Sequence, residues 1–143
     1  MAHHLYTEKA LRESENMSQI KAVTIGDLGE KYAAEYMEKH GYKIVGRNYH
    51  SKFGEIDIIA RKNEYIIFCE VKARRSVAFG YPSEYVDFRK RQKIIKTAYK
   101  YIEENNIESA VRFDVCEIFH TETANGEIKL ESINYIEGAF EEV

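Results

Sequence analysis

Two apolar runs separated by a short polar turn constrain this chain more than any other feature. Glu55 to Arg61 and Tyr65 to Lys72 are rich in Ile, Val, Tyr and Phe, the composition of strands. Asn63-Glu64 between them reads as a hairpin turn, because asparagine tolerates positive φ. That turn fixes a register in which Asp57 faces Glu70, and directly opposed strand residues have Cβ atoms about 4.5–5.5 Å apart. Glu70 and Lys72, two residues apart, project from one face, and Glu55 would pair with Lys72 there. The other face carries Ile56, Ile58, Ala60, Ile67, Cys69 and Val71 and reads as core.

Two carboxylates held opposite each other destabilise a sheet, so a cation between them is expected. Two acids with carbonyls and waters suit Mg²⁺, which prefers oxygen ligands and keeps several waters. Lys72 beside them could orient or deprotonate a water, or offset charge developing on a phosphoryl group. The alternative is a solvated hairpin with charges paired as Glu55–Lys72 and Glu70–Arg74. Spacing alone leaves both readings open.

The rest of the chain supplies the setting. Its 143 residues fit one domain. Residues 1–23 are polar and aperiodic and read as a mobile arm, with the domain over 24–143. Thr24 is expected to cap a first helix, with Asp27 as a partial capping box. Ile25, Leu28, Tyr32 and Tyr36 follow at helical spacing, Gly41 supplies the left-handed stop, and Glu30 lies on the flank beside Gly26, Ala33 and Ala34. Tyr42 to Asn48 is a strand preceding the two runs above. A loop with Phe79-Gly80-Tyr81-Pro82 leads to a second helix over Ser83–Glu104, ended by Asn105-Asn106. Val86, Ile94, Ile95, Ala98 and Ile102 are its apolar stripe, and Arg89, Lys93, Lys96 and Lys100 lie on its outer side. Val111 to Phe119 and Ile128 to Ile136 are two more strands around an Asn125-Gly126 turn. The order αβββαββ predicts an α+β, or layered α/β/α, domain.

Charge is unevenly spread. Lys72 to Lys100 holds nine Lys/Arg and two acids, +7 within a chain of net charge −3. One basic zone on an acidic protein is the footprint of a phosphate-binding surface. No apolar run is long enough to span a membrane, and no secretory signal is evident, so a cytoplasmic protein is expected. Cys69 and Cys116 lie in strand-like runs, without zinc-ligand spacing, and read as buried thiols. His40, His50 and His120 show no mutual metal spacing and read as surface or helix-end residues.

The runs Gly54-Glu55-Ile56-Asp57-Ile58-Ile59-Ala60 and Phe68-Cys69-Glu70-Val71-Lys72-Ala73-Arg74 resemble the YraN-like family of bacterial proteins. That family is grouped with the PD-(D/E)xK nucleases and is similar to archaeal Holliday junction resolvases. The resemblance runs from about Thr24 to Ile136 and includes Gly29-Glu30, Arg47-Asn48, Phe79-Gly80, Pro82 and Arg112-Phe113-Asp114-Val115. It implies a restriction endonuclease-like three-layer core, a central mixed sheet flanked by helices. By the same resemblance, Asp57 and Glu70 match the metal-binding acids, the Val71 carbonyl is a backbone ligand, and Lys72 is the catalytic lysine. Glu30 matches a first-helix acid that joins the metal site. Ile56 stands where the signature has proline, which is not a ligand.

The expected activity is a Mg²⁺- or Mn²⁺-dependent endonuclease acting on duplex, branched or otherwise structured DNA. Arg47, Arg74, Arg75, Arg89, Lys93 and Lys96 would contact the phosphate backbone, which positions a duplex without reading bases. Arg47 and Asn48 could equally serve strand-end hydrogen bonds. Tyr81, Tyr85 and Phe88 could stack on unpaired bases, against a packing role. Asp114 is expected to pair with Arg112. Two other readings are a nucleic-acid-binding module that does not cut and an interaction subunit. Resolvases act as dimers, so a homodimer is compatible.

Overall fold

The computed structural model describes residues 17–76 and 86–141, with side chains from Ile25 onward. The elements are α1 (Met17–Lys39), β1 (Lys43–Ser51), β2 (Gly54–Lys62), β3 (Tyr65–Arg75), α2 (Phe88–Glu104), β4 (Ala110–Glu122) and β5 (Ile128–Phe140). This is the expected αβββαββ order. The Phe79–Pro82 loop, Ser83, Tyr85 and residues 1–16 lie outside the described residues.

The strands form one mixed sheet in the order β1-β2-β3-β4-β5. Every neighbouring pair is antiparallel except β3 and β4, where Tyr65 pairs with Ala110 and Arg75 with His120 in parallel register. Parallel neighbours need a long crossover, and α2 lies on that connection. The two helices cover opposite faces. Leu28, Tyr32, Ala33, Ala34 and Met37 of α1 pack with Ile58, Ala60, Ile67, Cys69, Cys116 and Ile118. Ile94, Ile95 and Ala98 of α2 pack with Ile59, Ile66, Phe68, Phe113 and Val115. The sheet is therefore the middle of three layers. Both faces of the β2–β3 hairpin are core, so the face that carries Glu70 is not a solvated one, as the alternating pattern suggested.

Turn chemistry placed the boundaries well. Asn63 adopts φ +54 and Gly41 φ +86, and β2 and β3 pair in the expected register, from Lys62–Tyr65 to Ile58–Cys69. Asn105 caps the C-terminus of α2. Two helix starts differ. α1 begins at Met17 rather than Thr24, so Met17 to Val23 are helical. α2 begins at Phe88 rather than Ser83; Asp87 is its N-cap and accepts a hydrogen bond from the Lys90 amide at 2.9 Å. Val86 precedes the helix yet is buried with its stripe.

Small residues let α1 sit close to the sheet. A Cβ on Gly29 would lie 3.3 Å from the Ala73 Cβ and 3.8 Å from a Val71 methyl, whereas Gly26 faces open space. Gly29→Val is expected to push α1 off β3 and cost about 1–3 kcal/mol. It would be read as a lower urea midpoint at unchanged slope. Gly29→Ala should cost less, because alanine's helix propensity offsets the crowding.

Cys69 and Cys116 are buried free thiols. His40 caps α1 through the Tyr36 carbonyl at 2.7 Å. His120, expected at the surface, is buried on β4. No helix among the described residues is long and apolar enough to cross a membrane.

Candidate metal and phosphodiester site

The site begins where regular pairing stops. The β2–β3 ladder ends at Ile58–Cys69, one pair short of Asp57 and Glu70. Ile56 packs on the α2 face and Ile58 on the α1 face, so the chain turns over at Asp57. The expected placement of Ile56 beside Ile58 is thereby corrected. Across from Asp57, between the Arg47–Ile58 and Tyr49–Ile56 pairs, stands Asn48 with φ +52. Both strands leave regular geometry at the same level, and β2 parts from β3 there. The Asp57 carboxylate occupies the break: its Oδ2 accepts the Val71 amide at 2.7 Å.

Three further acids surround Asp57. Glu70 is only 7% exposed. Glu30 reaches in from α1, with Arg47 at 4.0 Å. Turned so that its nitrogen faces the acids, the Asn48 amide donates to Glu30 Oε1 at 2.9 Å and Glu55 Oε1 at 3.2 Å. Burial, then the Glu70 charge, pushes Asp57 up to about 7; the Val71 amide opposes this, and Glu30 and Glu55 add to it. Burial likewise raises Glu30, partly offset by Arg47. Burying like charges together is the condition that raises a carboxylate.

The opposing wall is cationic. Lys90, in the first turn of α2, places its ammonium 2.7 Å from Glu70 Oε1. Between the walls lies a pocket of about 490 Å³ lined by Gly54, Glu55, Asp57 and Glu70 on one side and Asp87, Arg89, Lys90, Lys93 and Ile94 on the other. The Lys90 amide, more than any other group, holds the exposed Asp87 carboxyl below its ordinary range, and Lys72 adds to it.

The structure brings Asp57, Glu70, Val71 and Glu30 to one place and puts Arg89 and Lys93 on the pocket wall. Lys72 stands two residues beyond Glu70, half-buried and in register with Glu117. The Glu55–Lys72 pairing does not form, because Glu55 faces His50 at 3.6 Å. Arg74, expected at the phosphate backbone, is partly buried and lies 3.3 Å from Glu117. Nor does it pair with Glu70. Arg75 and Lys96 are exposed, and Arg47 is half-exposed beside Glu30.

Sequence reasoning missed Lys90 and Asp87 as members of the site. A signal was present. With the helix starting at Phe88 instead of Ser83, Arg89-Lys90-Arg91 crowd its first turn, where the macrodipole disfavours cations, so that end is expected to face anions.

Among the described residues, no three His, Cys, Asp or Glu side chains are grouped closely enough to hold a metal ion. Side chains alone thus offer a pair, Asp57 and Glu70. That pair fits a hard cation that keeps waters and accepts a carbonyl, because the donors are all oxygen and the Asp57 charge is raised in energy by its neighbour.

The family model described as "Uncharacterised protein family UPF0102" matches residues 29–118. A UPF0102 protein of Caldanaerobacter subterraneus subsp. tengcongensis is 47% identical over 126 residues, 87% of this chain and 100% of the relative. One of Clostridioides difficile is 47% identical over 116 residues, 80% of this chain and 95% of the relative. One of Clostridium botulinum strain 657 is 48% identical over 109 residues, 74% and 89% of the two chains. The matched span carries Glu30, Asp57, Glu70, Lys72 and Lys90 together, and the chain belongs to the UPF0102, or YraN-like, family.

Proposed function

We propose that this protein is a Mg²⁺- or Mn²⁺-dependent endonuclease that hydrolyses phosphodiester bonds of DNA, branched or structured DNA included. The observation that carries the reading is the two-sided pocket, with buried acids on β2 and β3 facing cations on α2. A phosphodiester approaching a carboxylate pair needs a cation between them, and a basic wall holds the strand.

Asp57 and Glu70, with the Val71 carbonyl, would hold the ion, and Glu30 would add charge from the flank. A bound divalent cation would stabilise charge on the phosphoryl oxygens and acidify a water. Lys72 orients the attacking water or takes its proton. Arg89 and Lys93 hold the phosphates on either side of the scissile bond. Lys90 compensates one of the two buried charges when the cation is away.

One observation favours a second reading, a DNA-binding module without turnover: the Lys90 ammonium already sits on Glu70. Two experiments separate them. Calorimetry with Mg²⁺ or Mn²⁺ should give binding heat for the wild type and none for Asp57→Ala; equal, negligible heats would remove the metal site. A panel of duplex, forked and four-way DNA with Mn²⁺ should give product that Lys72→Ala abolishes. Binding without product from any substrate would leave the module. Under either reading, about three phosphate contacts by Arg89, Lys93 and Lys96 predict a salt-sensitive affinity. It should fall roughly twenty- to fortyfold between about 50 and 200 mM salt; a flat response excludes the basic wall as the contact surface.

A further inference from the structure

The tip of the β1–β2 hairpin presents an aromatic ring to solvent. Phe53 is 38% exposed, with Lys52 Nζ 5.2 Å and Lys96 Nζ 5.5 Å from its ring centroid. Two ammonium groups gathered on one open ring form a basic-aromatic patch.

The patch is rigidly mounted and continuous with the pocket. Ser51 Oγ lies 2.9 Å from Thr97 Oγ1 of α2, and the Phe53 amide donates to Ser51 Oγ at 3.0 Å. The next residue, Gly54, lies against Lys93: a Cβ there would come 3.4 Å from the Lys93 Cβ. Gly54 and Lys93 both line the pocket. A strand whose phosphates lie along Arg89 and Lys93 therefore reaches Phe53 within the next nucleotides.

We infer that Phe53 is a stacking platform for an unpaired nucleobase adjacent to the pocket, with Lys52 and Lys96 taking the flanking phosphates. Every base has a π-face, so stacking between cations tolerates any sequence. A paired base inside a duplex cannot offer that face. The subsite thus selects nucleic acid with single-stranded character beside the bond to be cut: flaps, forks, frayed junction arms. The inference deepens the proposed activity and rests on it for the word "cut", but the stacking itself does not require turnover.

The chain contains no tryptophan, so Phe53→Trp creates a single reporter in the full-length protein. A short oligothymidylate should quench its fluorescence saturably. An oligonucleotide of equal length with abasic sites throughout keeps the phosphates and should bind, by anisotropy of an end label, without that quenching. Phe53→Leu, at an exposed position, should weaken binding to oligothymidylate about tenfold and leave affinity for a blunt duplex within twofold. Binding without quenching, equal quenching by the abasic strand, or no binding of either strand overturns the platform. Cleavage with no quenching defeats this inference alone; quenching with no metal-dependent cleavage defeats the nuclease reading and leaves the platform standing.

Discussion

Asp57→Asn is expected to lower metal-dependent cleavage at least about a hundredfold and, in the same molecule, to raise the melting temperature of the metal-free protein at pH 8. Both effects come from one fact. The folded environment pushes Asp57 up to about 7 through burial and the Glu70 charge, against an ordinary aspartate value near about 3.9 in the unfolded chain. Between those values the folded state binds the proton and the unfolded state does not. Stability from this group is therefore full below about pH 4, declines as pH rises, and is gone above about pH 7. Asparagine removes the charge and the decline with it. The gain should approach about 4 kcal/mol at pH 8, or about 8–16 °C, and should vanish at pH 4. Melting curves in EDTA at the two pH values check it. Adding Mg²⁺ should then stabilise the wild type and leave the variant unmoved. A variant no more stable than wild type at pH 8 would show that the Asp57 charge carries no strain.

The second large effect lies away from the pocket. Asp114 is fully buried and completely used. Its Oδ1 accepts Arg112 Nε at 2.8 Å and the Gly138 amide at 3.0 Å. Its Oδ2 accepts Arg112 at 2.7 Å and the Tyr135 hydroxyl at 2.6 Å. The Arg112 guanidinium also donates to Tyr42 at 2.8 Å, so the network ties β1's approach, β4 and β5 together. Asp114→Ala leaves a half-buried guanidinium, a hydroxyl and an amide without their acceptor. Breaking such a pair costs about 3–5 kcal/mol, against a total of about 5–15 kcal/mol for a domain. A fall of about 10–20 °C in melting temperature is expected. Metal-binding heat per folded molecule should persist at low temperature, which separates this role from that of Asp57.

The expected Asp114–Arg112 pair could be read because both partners sit in one strand, two residues apart. The same holds for most of what the sequence revealed. Asn63 and the strand runs around it determined a register, and the register brought Asp57 to the level of Glu70. Gly41 and Asn105 marked helix ends. What escaped was set by distant partners. Lys90 meets Glu70 only because α2 crosses the sheet, and nothing local to either announces the other. Arg74 looked free until β4 delivered Glu117. The reversal of faces between Ile56 and Ile58 follows from strands parting, which alternation along one strand does not encode. The early turns of α1 were lost because Met17, Ile20 and Val23 follow a polar, charged stretch and read as part of it, so helical pattern was sought only from Thr24.

The parallel β3–β4 pair bears on how the pocket is assembled. The acids are placed by a hairpin, whose partners are near neighbours in the chain and close a small loop. The cations ride on the crossover, and they reach the acids only after the chain has looped far enough for Tyr65 to meet Ala110. Closing that longer loop carries the larger entropic penalty and is the slower event. Loosening of α2 would therefore remove the cationic wall while the hairpin, and the carboxylates on it, stayed paired. The two halves of the pocket therefore differ in how they are assembled, the anionic half by a local unit and the cationic half by a long-range one.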